Sequence, residues 1–512
     1  MKKILLSFIF VGSLTSYAQE TTIADALRYS VENLNGSARF RAMGGAFGAV
    51  GGDLSAINVN PAGSSIFNNN QATFSLTSFN SANTSTYFGR SAKATNSLLD
   101  INQIGAVFVF NDYSKKQGWN KFTLGLNYEN TNNLNNYIVS EGTNATNSMG
   151  AYFLNKAQGV DVSYLALQSG ETINDLYSYL GEEGLFNAQQ AMLGYQAYIF
   201  DEDTSTSATN DYWTNIPTGG NYYQRNSISS KGYNGKFTAN FSGAYEDKLY
   251  LGMNLNFMFS DYTRKSSLFE SNTNPAYTTG STVRAARFDN QLYTYGSGFS
   301  INLGAIYKVQ KNARIGLSYE SPTWYRFTDE LTQRLQTETS NNNVIYTDDI
   351  NPNVVNIYPA YKIQSPSKVT GSLAYIFGKS GLLSVDYTYK NYENTKFKPK
   401  NDELYSALNN QMRTVLSSTY ELRIGGEYKI KQWSLRGGYR FEQSPFKNKT
   451  TIGDLTSYSG GLGYNFGDSR LDVSYTTSKR SSTEALLTSG LNDRAAINSL
   501  NNNVTLTYVI NF

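Results

Sequence analysis

Val504-Thr-Leu-Thr-Tyr-Val-Ile-Asn-Phe512 closes the chain and decides how the rest is read. Val504, Leu506, Tyr508, Ile510 and Phe512 share one parity; Thr505, Thr507 and Asn511 take the other, broken only by Val509. A period of two is a β-strand with one apolar and one wet face. A strand ending a chain on an aromatic residue is the usual closing strand of a barrel in the bacterial outer membrane. Phe512 is then the residue through which barrel-assembly machinery is expected to engage the chain.

The other end agrees. Residues 1–18 read as a signal peptide, with Lys2 and Lys3, an apolar run from Ile4 to Leu14, and Ser16-Tyr17-Ala18 before Gln19. That run is too short to span a bilayer. Its removal leaves 41 basic and 40 acidic residues, a balance that calls for no nucleic-acid partner. No later segment approaches about 20 continuous apolar residues, so spanning by helices is excluded. The chain holds 40 tyrosines, 43 glycines and only 9 prolines, as alternating barrel strands require. It has no cysteine, hence no disulfide framework. It has no histidine either, which removes the commonest general base and metal ligand. The barrel hydrolases, acyltransferases and proteases that depend on histidine are thereby set aside. No catalytic residue, metal site or cofactor is assigned.

Fourteen segments alternate with period two: roughly 71–80, 103–112, 120–130, 236–246, 248–262, 298–309, 312–320, 367–378, 381–392, 419–430, 432–442, 457–467, 469–479 and 501–512. In the eleventh, Trp433, Leu435, Tyr439 and Phe441 oppose Ser434, Arg436, Arg440 and Glu442, and a charged inward set suits a wet lumen. Short turns alternate with long connections (81–102, 131–235, 263–297, 321–366, 393–418, 443–456 and 480–500). That is the signature of an all-β, 14-stranded antiparallel transmembrane barrel with short periplasmic turns and long outer loops. Residues 71–512 form the barrel in this reading, and residues 19–70 precede it as a segment able to plug the lumen. Within 131–235, helical spacing from Val162 to Phe200 predicts two helices capped by Asp161 and Thr172. They read as an ordinary folded loop or as an apolar cap for a greasy ligand.

The densest motif lies in the N-terminal segment, from Ser37 to Gly63. Gly44, Gly48 and Gly52 fall four apart, giving a bare helix face or, in a loop, tight turns. Asn60-Pro61 ends any helix there. Here the sequence resembles the FadL/TodX family of outer-membrane transporters for hydrophobic compounds. The resemblance rests on Ala42-Met43-Gly44-Gly45-Ala46, on Gly48, on Gly51-Gly52-Asp53 with Ser55-Ala56, and on Asn60-Pro61-Ala62-Gly63. Fainter echoes occur at 366–378 and 435–445.

The resemblance implies a fourteen-stranded barrel whose N-terminal hatch sits inside the lumen. It also implies passive uptake of fatty acid-like or aromatic compounds and sideways exit to the membrane lipid through a gap made by a kinked third strand. A monomer is the family expectation. In this chain's third segment, Gly125 is the only candidate kink. For hatch-side contacts, Phe40, Met43 and Phe47 are expected as apolar lining. Arg39 and Arg41 are expected to pair a carboxylate head group, or else a lumenal acid such as Asp386 or Asp472. A service role in protein secretion is the alternative.

Overall fold

The computed structural model describes residues 22–512 except Tyr113, Lys115, Lys116, Thr206 and Asn343; the expected signal peptide lies outside the described residues. Fourteen antiparallel strands close into a barrel: β1 Gln71–Tyr87, β2 Arg90–Asn111, β3 Trp119–Asn133, β4 Tyr222–Tyr245, β5 Leu249–Ser271, β6 Thr282–Lys308, β7 Ala313–Glu320, β8 Lys368–Phe377, β9 Gly381–Asn391, β10 Ser418–Ile430, β11 Trp433–Glu442, β12 Ile452–Asn465, β13 Ser469–Ala485 and β14 Arg494–Asn511. Each strand pairs with the next, and β14 closes on β1 from Gln71–Asn511 to Thr86–Ala496. β3 resumes after Leu134-Asn135 as Asn136–Asn144, and β7 resumes after Ser321-Pro322-Thr323 as Trp324–Asn341. Both resumed pieces stay on their neighbours, β4 and β6.

The closing strand behaves as its pattern demands. Leu506 is 44% exposed toward lipid, whereas Thr505 and Thr507 are fully buried inside. Val509 obeys position rather than polarity and faces inward at 2%. In β11, Trp433 and Leu435 are exposed, while Arg436, Arg440 and Glu442 are buried on the lumen side.

The expected fourteen segments all fall on barrel strands, but several expected outer loops are ladder. The 81–102 connection is a hairpin whose turn is Phe88-Gly89, with φ of 45° and 77°. Much of 263–297 and 321–366 also continues as strand. Beyond the bilayer both faces of a strand are wet, so hydrophobic alternation fades while backbone pairing continues.

Helices α3 Gly150–Ala157, α4 Ile173–Glu182 and α5 Phe186–Gln196 lie in the long outer connection. Thr172 caps α4 as expected; Asp161 caps only the short turn Val162–Tyr164. Helix α3 had no forecast, and neither did the Glu403–Val415 helix, whose N-cap is Asp402. The α3–α5 helices pack Phe153, Leu180, Met192 and Leu193 against Leu268, Phe288, Leu335 and Ala495 from the extended strands, closing the outer mouth with an apolar core.

Residues 22–66 lie within the lumen. Helix α1 spans Ile23–Arg28 and helix α2 Ala38–Ala42. Tyr29 stacks on Phe327 of the resumed β7 at 4.0 Å between ring centres. A continuous helix bearing three glycines on one face does not form. Instead, Gly44, Gly45, Gly51 and Gly52 all turn the chain at φ between 61° and 77°. The wall answers with inward glycines of its own. A side-chain carbon on Gly304 would overlap the Asn60 amide, and one on Gly316 would overlap the Gly48 carbonyl.

Gly304→Val and Gly316→Val should therefore cost about 1–3 kcal/mol by overpacking and open residues 22–66 to protease. Gly371→Val and Gly437→Val, where nothing lies within 4 Å of the added carbon, should change neither heat-dependent gel mobility nor proteolysis. Equal sensitivity of both pairs would show that the segment does not dock on the wall as described.

A lumenal chamber beside a break in the wall

The Asn-Pro-Ala element is a clamp. Asn60 accepts from the Ala62 amide at 3.1 Å, and its side-chain nitrogen donates to the Gly48 and Ala305 carbonyls at 2.7 and 3.0 Å. Asn240 of β4 donates to the Pro61 carbonyl at 2.9 Å. Gly51 packs its α-carbon against Gly63. Asp53 accepts from Ser55 N and Ser37 Oγ, holding the turn to the start of α2. Asp386 of β9 accepts the Phe47 and Gly48 amides at 2.9 and 3.0 Å. Buried backbone donors must find partners, and here an inward carboxylate supplies them.

Above this clamp the wall is discontinuous. The β2–β3 ladder stops at Gln103–Glu129, whereas β1–β2 runs on to Tyr87–Arg90 and β3 stays on β4 to Asn133–Tyr233. Gly125, the expected kink, sits in regular pairing with Val107 and Asn240. The strands part after it, where β3 reads Asn130-Thr-Asn-Asn-Leu-Asn-Asn136. Higher up, the resumed strand returns to the inner face of β1, with Asn83 Nδ2 donating to Asn136 Oδ1 at 2.6 Å and Ser85 beside Ser140.

The N-terminal segment takes the place of β2 along this free edge. Asn33 N donates to Thr131 O at 3.2 Å, Asn33 Nδ2 to Asn132 Oδ1 at 2.5 Å, and Asn35 Nδ2 to Asn130 O at 2.5 Å. Asn102 of β2 donates to the Gly36 carbonyl from the other side. Residues 33–36 therefore bridge the two parted strands.

Behind the bridge lies a chamber of about 330 Å³. Ten of its lining residues are asparagines; Leu34, Phe79 and Leu134 supply apolar surface. Apart from Arg41, its lining residues did not stand out in the sequence, although the asparagine runs at 130–136 and 498–503 were a usable signal.

The two arginines of α2 have different fates. Arg39 lays its Nε and Nη2 on the two oxygens of Glu427 at 2.9 and 3.2 Å. Glu427 also holds Arg436, which bridges to Asp472 at 2.7 Å. The lumenal acid for Arg39 is thus Glu427, not Asp386 or Asp472, because Asp386 is occupied by plug amides and Asp472 by Arg436 and Arg470. Arg41 is fully buried and lines the chamber, yet its Nε and Nη2 have no hydrogen-bond partner among the described residues. Its Nη1 donates to Asn35 Oδ1 at 3.3 Å. Burial lowers its pKa to about 10, so it remains cationic at neutral pH. Phe40, Met43 and Phe47 pack with one another, Leu34, Ala374 and Leu382 rather than around the chamber.

The family model for outer membrane protein transport proteins (OMPP1/FadL/TodX) matches residues 220–507. The chain belongs to this family. It is an outer-membrane protein of a transporter family for hydrophobic compounds, which is not a family of enzymes. A Pseudomonas aeruginosa FadL homologue shares its fold at 13% identity, with a TM-score of 0.52 over 94% of this chain and 100% of that one. The Pseudomonas putida toluene transporter TodX does so at 15% identity, with a TM-score of 0.50 over the same shares. No curated protein matches the chain by sequence.

Arg39→Met removes a charge-assisted pair and should destabilise the folded chain by about 1.5–3 kcal/mol. Arg41→Met removes a buried charge that lacks a carboxylate and should leave stability unchanged or raise it. Urea unfolding followed by tryptophan fluorescence separates the two; equal losses would mean Arg41 has a structural partner after all.

Proposed function

We propose that the protein takes up hydrophobic compounds passively across the outer membrane, and that residues 22–66 act as the hatch of that pathway. The parted β2–β3 ladder, bridged by Asn33–Gly36 and by one direct side-chain bond from Asn130 to Asp100, carries this reading. In a bilayer an unpaired strand edge is tolerated only where protein or water satisfies it. A segment that satisfies the edge with side-chain amides is a removable substitute for a strand.

Cargo gathers at the apolar outer cap and moves into the chamber under the hatch. Displacement of residues 33–36 then opens the wall. Burial of apolar surface gains roughly 25 cal/mol per Å², and Leu99 and Ile101 sit exposed on the outer face of β2 beside the opening. Release through the wall delivers a greasy molecule to lipid without exposing it to the aqueous lumen. The hatch moves by population shift, requiring only that cargo favour the displaced state.

Two measurements test this. The chain has no native cysteine, so Asn33→Cys with Asn132→Cys can lock the bridge oxidatively. Locked protein should lose accumulation of labelled decanol by cells expressing it, and reductant should restore it. Undiminished uptake by the locked form rejects the lateral route. Deleting residues 22–66 should raise single-channel conductance in a planar bilayer several-fold; unchanged conductance would mean the segment does not obstruct the lumen.

A further inference from the structure

Lys396-Phe-Lys-Pro-Lys400 places a lysine at every second residue, and in Trp324-Tyr-Arg-Phe327 the residues Trp324 and Arg326 share one parity. As strands, both stretches carry these residues on a single face. The short strand Tyr361–Gln364 joins them, pairing with the resumed β7 on one side and with Lys396–Lys398 on the other. Tyr325, Phe327, Ile363 and Phe397 are buried together on the lumen side. The opposite face therefore points out of the wall. There the register sets Arg326 opposite Lys362, and Lys362 opposite Lys398.

Like charges directly opposite one another destabilise a sheet, and here three cations stand in one cross-strand row. Arg326, Lys362 and Lys398 make no ion pair among the described residues. Lys396 lies beside the row. Burial, then Lys400, Arg413 and Lys398, push its ammonium below its ordinary value, and the charges acting on it are all positive. Neighbouring acids are engaged elsewhere: Glu393 pairs with Lys447 at 3.3 Å, and Asp402 accepts the Tyr405 amide at 3.0 Å. Uncompensated cations on adjacent strands, about 4.8 Å apart, suit an anion with several oxygens.

Depth decides which anion. Two residues before Arg326, on the same outer face, Trp324 is 45% exposed and sits opposite Phe299. Phe299 in turn meets Phe257 at 5.4 Å between ring centres. Aromatic residues girdling a barrel mark the level where acyl chains give way to headgroups. The resumed β7 leads from this girdle toward the outer loops, so the girdle belongs to the outer leaflet. Arg326, opposite Ser297, is the next outward step above it. The cationic row thus stands at the height of outer-leaflet headgroups.

We propose that Arg326, Lys362 and Lys398 bind the phosphate groups of the phosphorylated glycolipid of the outer leaflet, with an acyl chain lying along Trp324 and Phe299. Guanidinium matches phosphate oxygens bidentately, and the two lysines add point charges. The row faces away from the lumen, so this inference stands or falls independently of the uptake route.

The test is native mass spectrometry of the full chain released from neutral detergent micelles containing diphosphoryl lipid A. The native chain should retain lipid A at least tenfold better than phosphatidylglycerol. Arg326→Gln, Lys362→Gln and Lys398→Gln combined should lower retention at least tenfold. Lys231→Gln, Lys265→Gln and Lys479→Gln combined remove three exposed cations from other strands and should leave retention unchanged. Lys362→Glu alone relieves repulsion within the row; it should keep heat-dependent gel mobility and lower retention at least fivefold, which covers failure of the triple variant to assemble. Retention indifferent to the row substitutions, or lost equally in the control triple, overturns the site. Phosphatidylglycerol held as well as lipid A, or lipid A displaced by equimolar inorganic phosphate, overturns the assignment to the glycolipid.

Discussion

Everything in this structure follows from the requirement that backbone donors and acceptors inside a bilayer be paired. The β14–β1 ladder meets it for the barrel as a whole, joining the two ends of the strand series over sixteen residue pairs. With that seam closed, the ladders among the described residues are interrupted most plainly where β2 and β3 part. At that place the pairing is not lost but transferred: Asn33, Asn35 and Asn102 carry it between the two strands through residues 33–36. The break in the wall and the path of the N-terminal segment are two aspects of one constraint.

The same constraint shapes the lumen. A barrel of this width cannot fill its interior with wall side chains alone, and an empty polar interior would hold water. The N-terminal segment fills it, and close approach is purchased with glycine on both surfaces. Gly44 lies on the backbone of Tyr439, and Gly304 and Gly316 make room for Asn60 and Gly48. Charge follows burial. Glu427 sits between Arg39 and Arg436, and Glu421 between Arg423 and Arg440, so these two acids are each shared by two guanidinium groups. Arg41, Arg314 and Lys121 follow another pattern, with backbone carbonyls or an amide as their partners in place of a carboxylate.

The sequence pattern located the strands because lipid imposes polarity on one face: Phe122, Leu124, Leu126 and Tyr128 could be read directly. It lost the ladders toward the outer turns, as at 81–97, since Asn, Ser and Thr on both faces carry no period. The motif at Asn60-Pro61-Ala62 identified the family, and its role as a clamp became visible only with Asn240 and Ala305 beside it. Arg39 and Arg41 looked equivalent from their spacing. Which of them meets a carboxylate is decided by Glu427, almost four hundred residues away, and no local signal contains that. The break had no local signal in the sequence beyond Gly125 as a candidate kink. Glycine at 125 suggested flexibility, whereas the strands separate where asparagine makes separation tolerable.

Asparagine is well suited to that place. Its side chain offers a donor and an acceptor, so the edge at 130–136 can be satisfied by the segment, by water or by a ligand's polar atoms with little difference among them. A hydrogen bond exchanged for another nets only about 0.5–1.5 kcal/mol. On the proposed lateral route, the few bonds that hold residues 33–36 to the edge, with the Asn130–Asp100 bond, keep the wall closed and are few enough to be exchanged. An apolar seam would have needed lipid to enter before the segment could leave, and a continuous β2–β3 ladder would have left nothing to open. The proposed gate thus combines polar, weakly held closure with the position where the β2–β3 pairing is suspended.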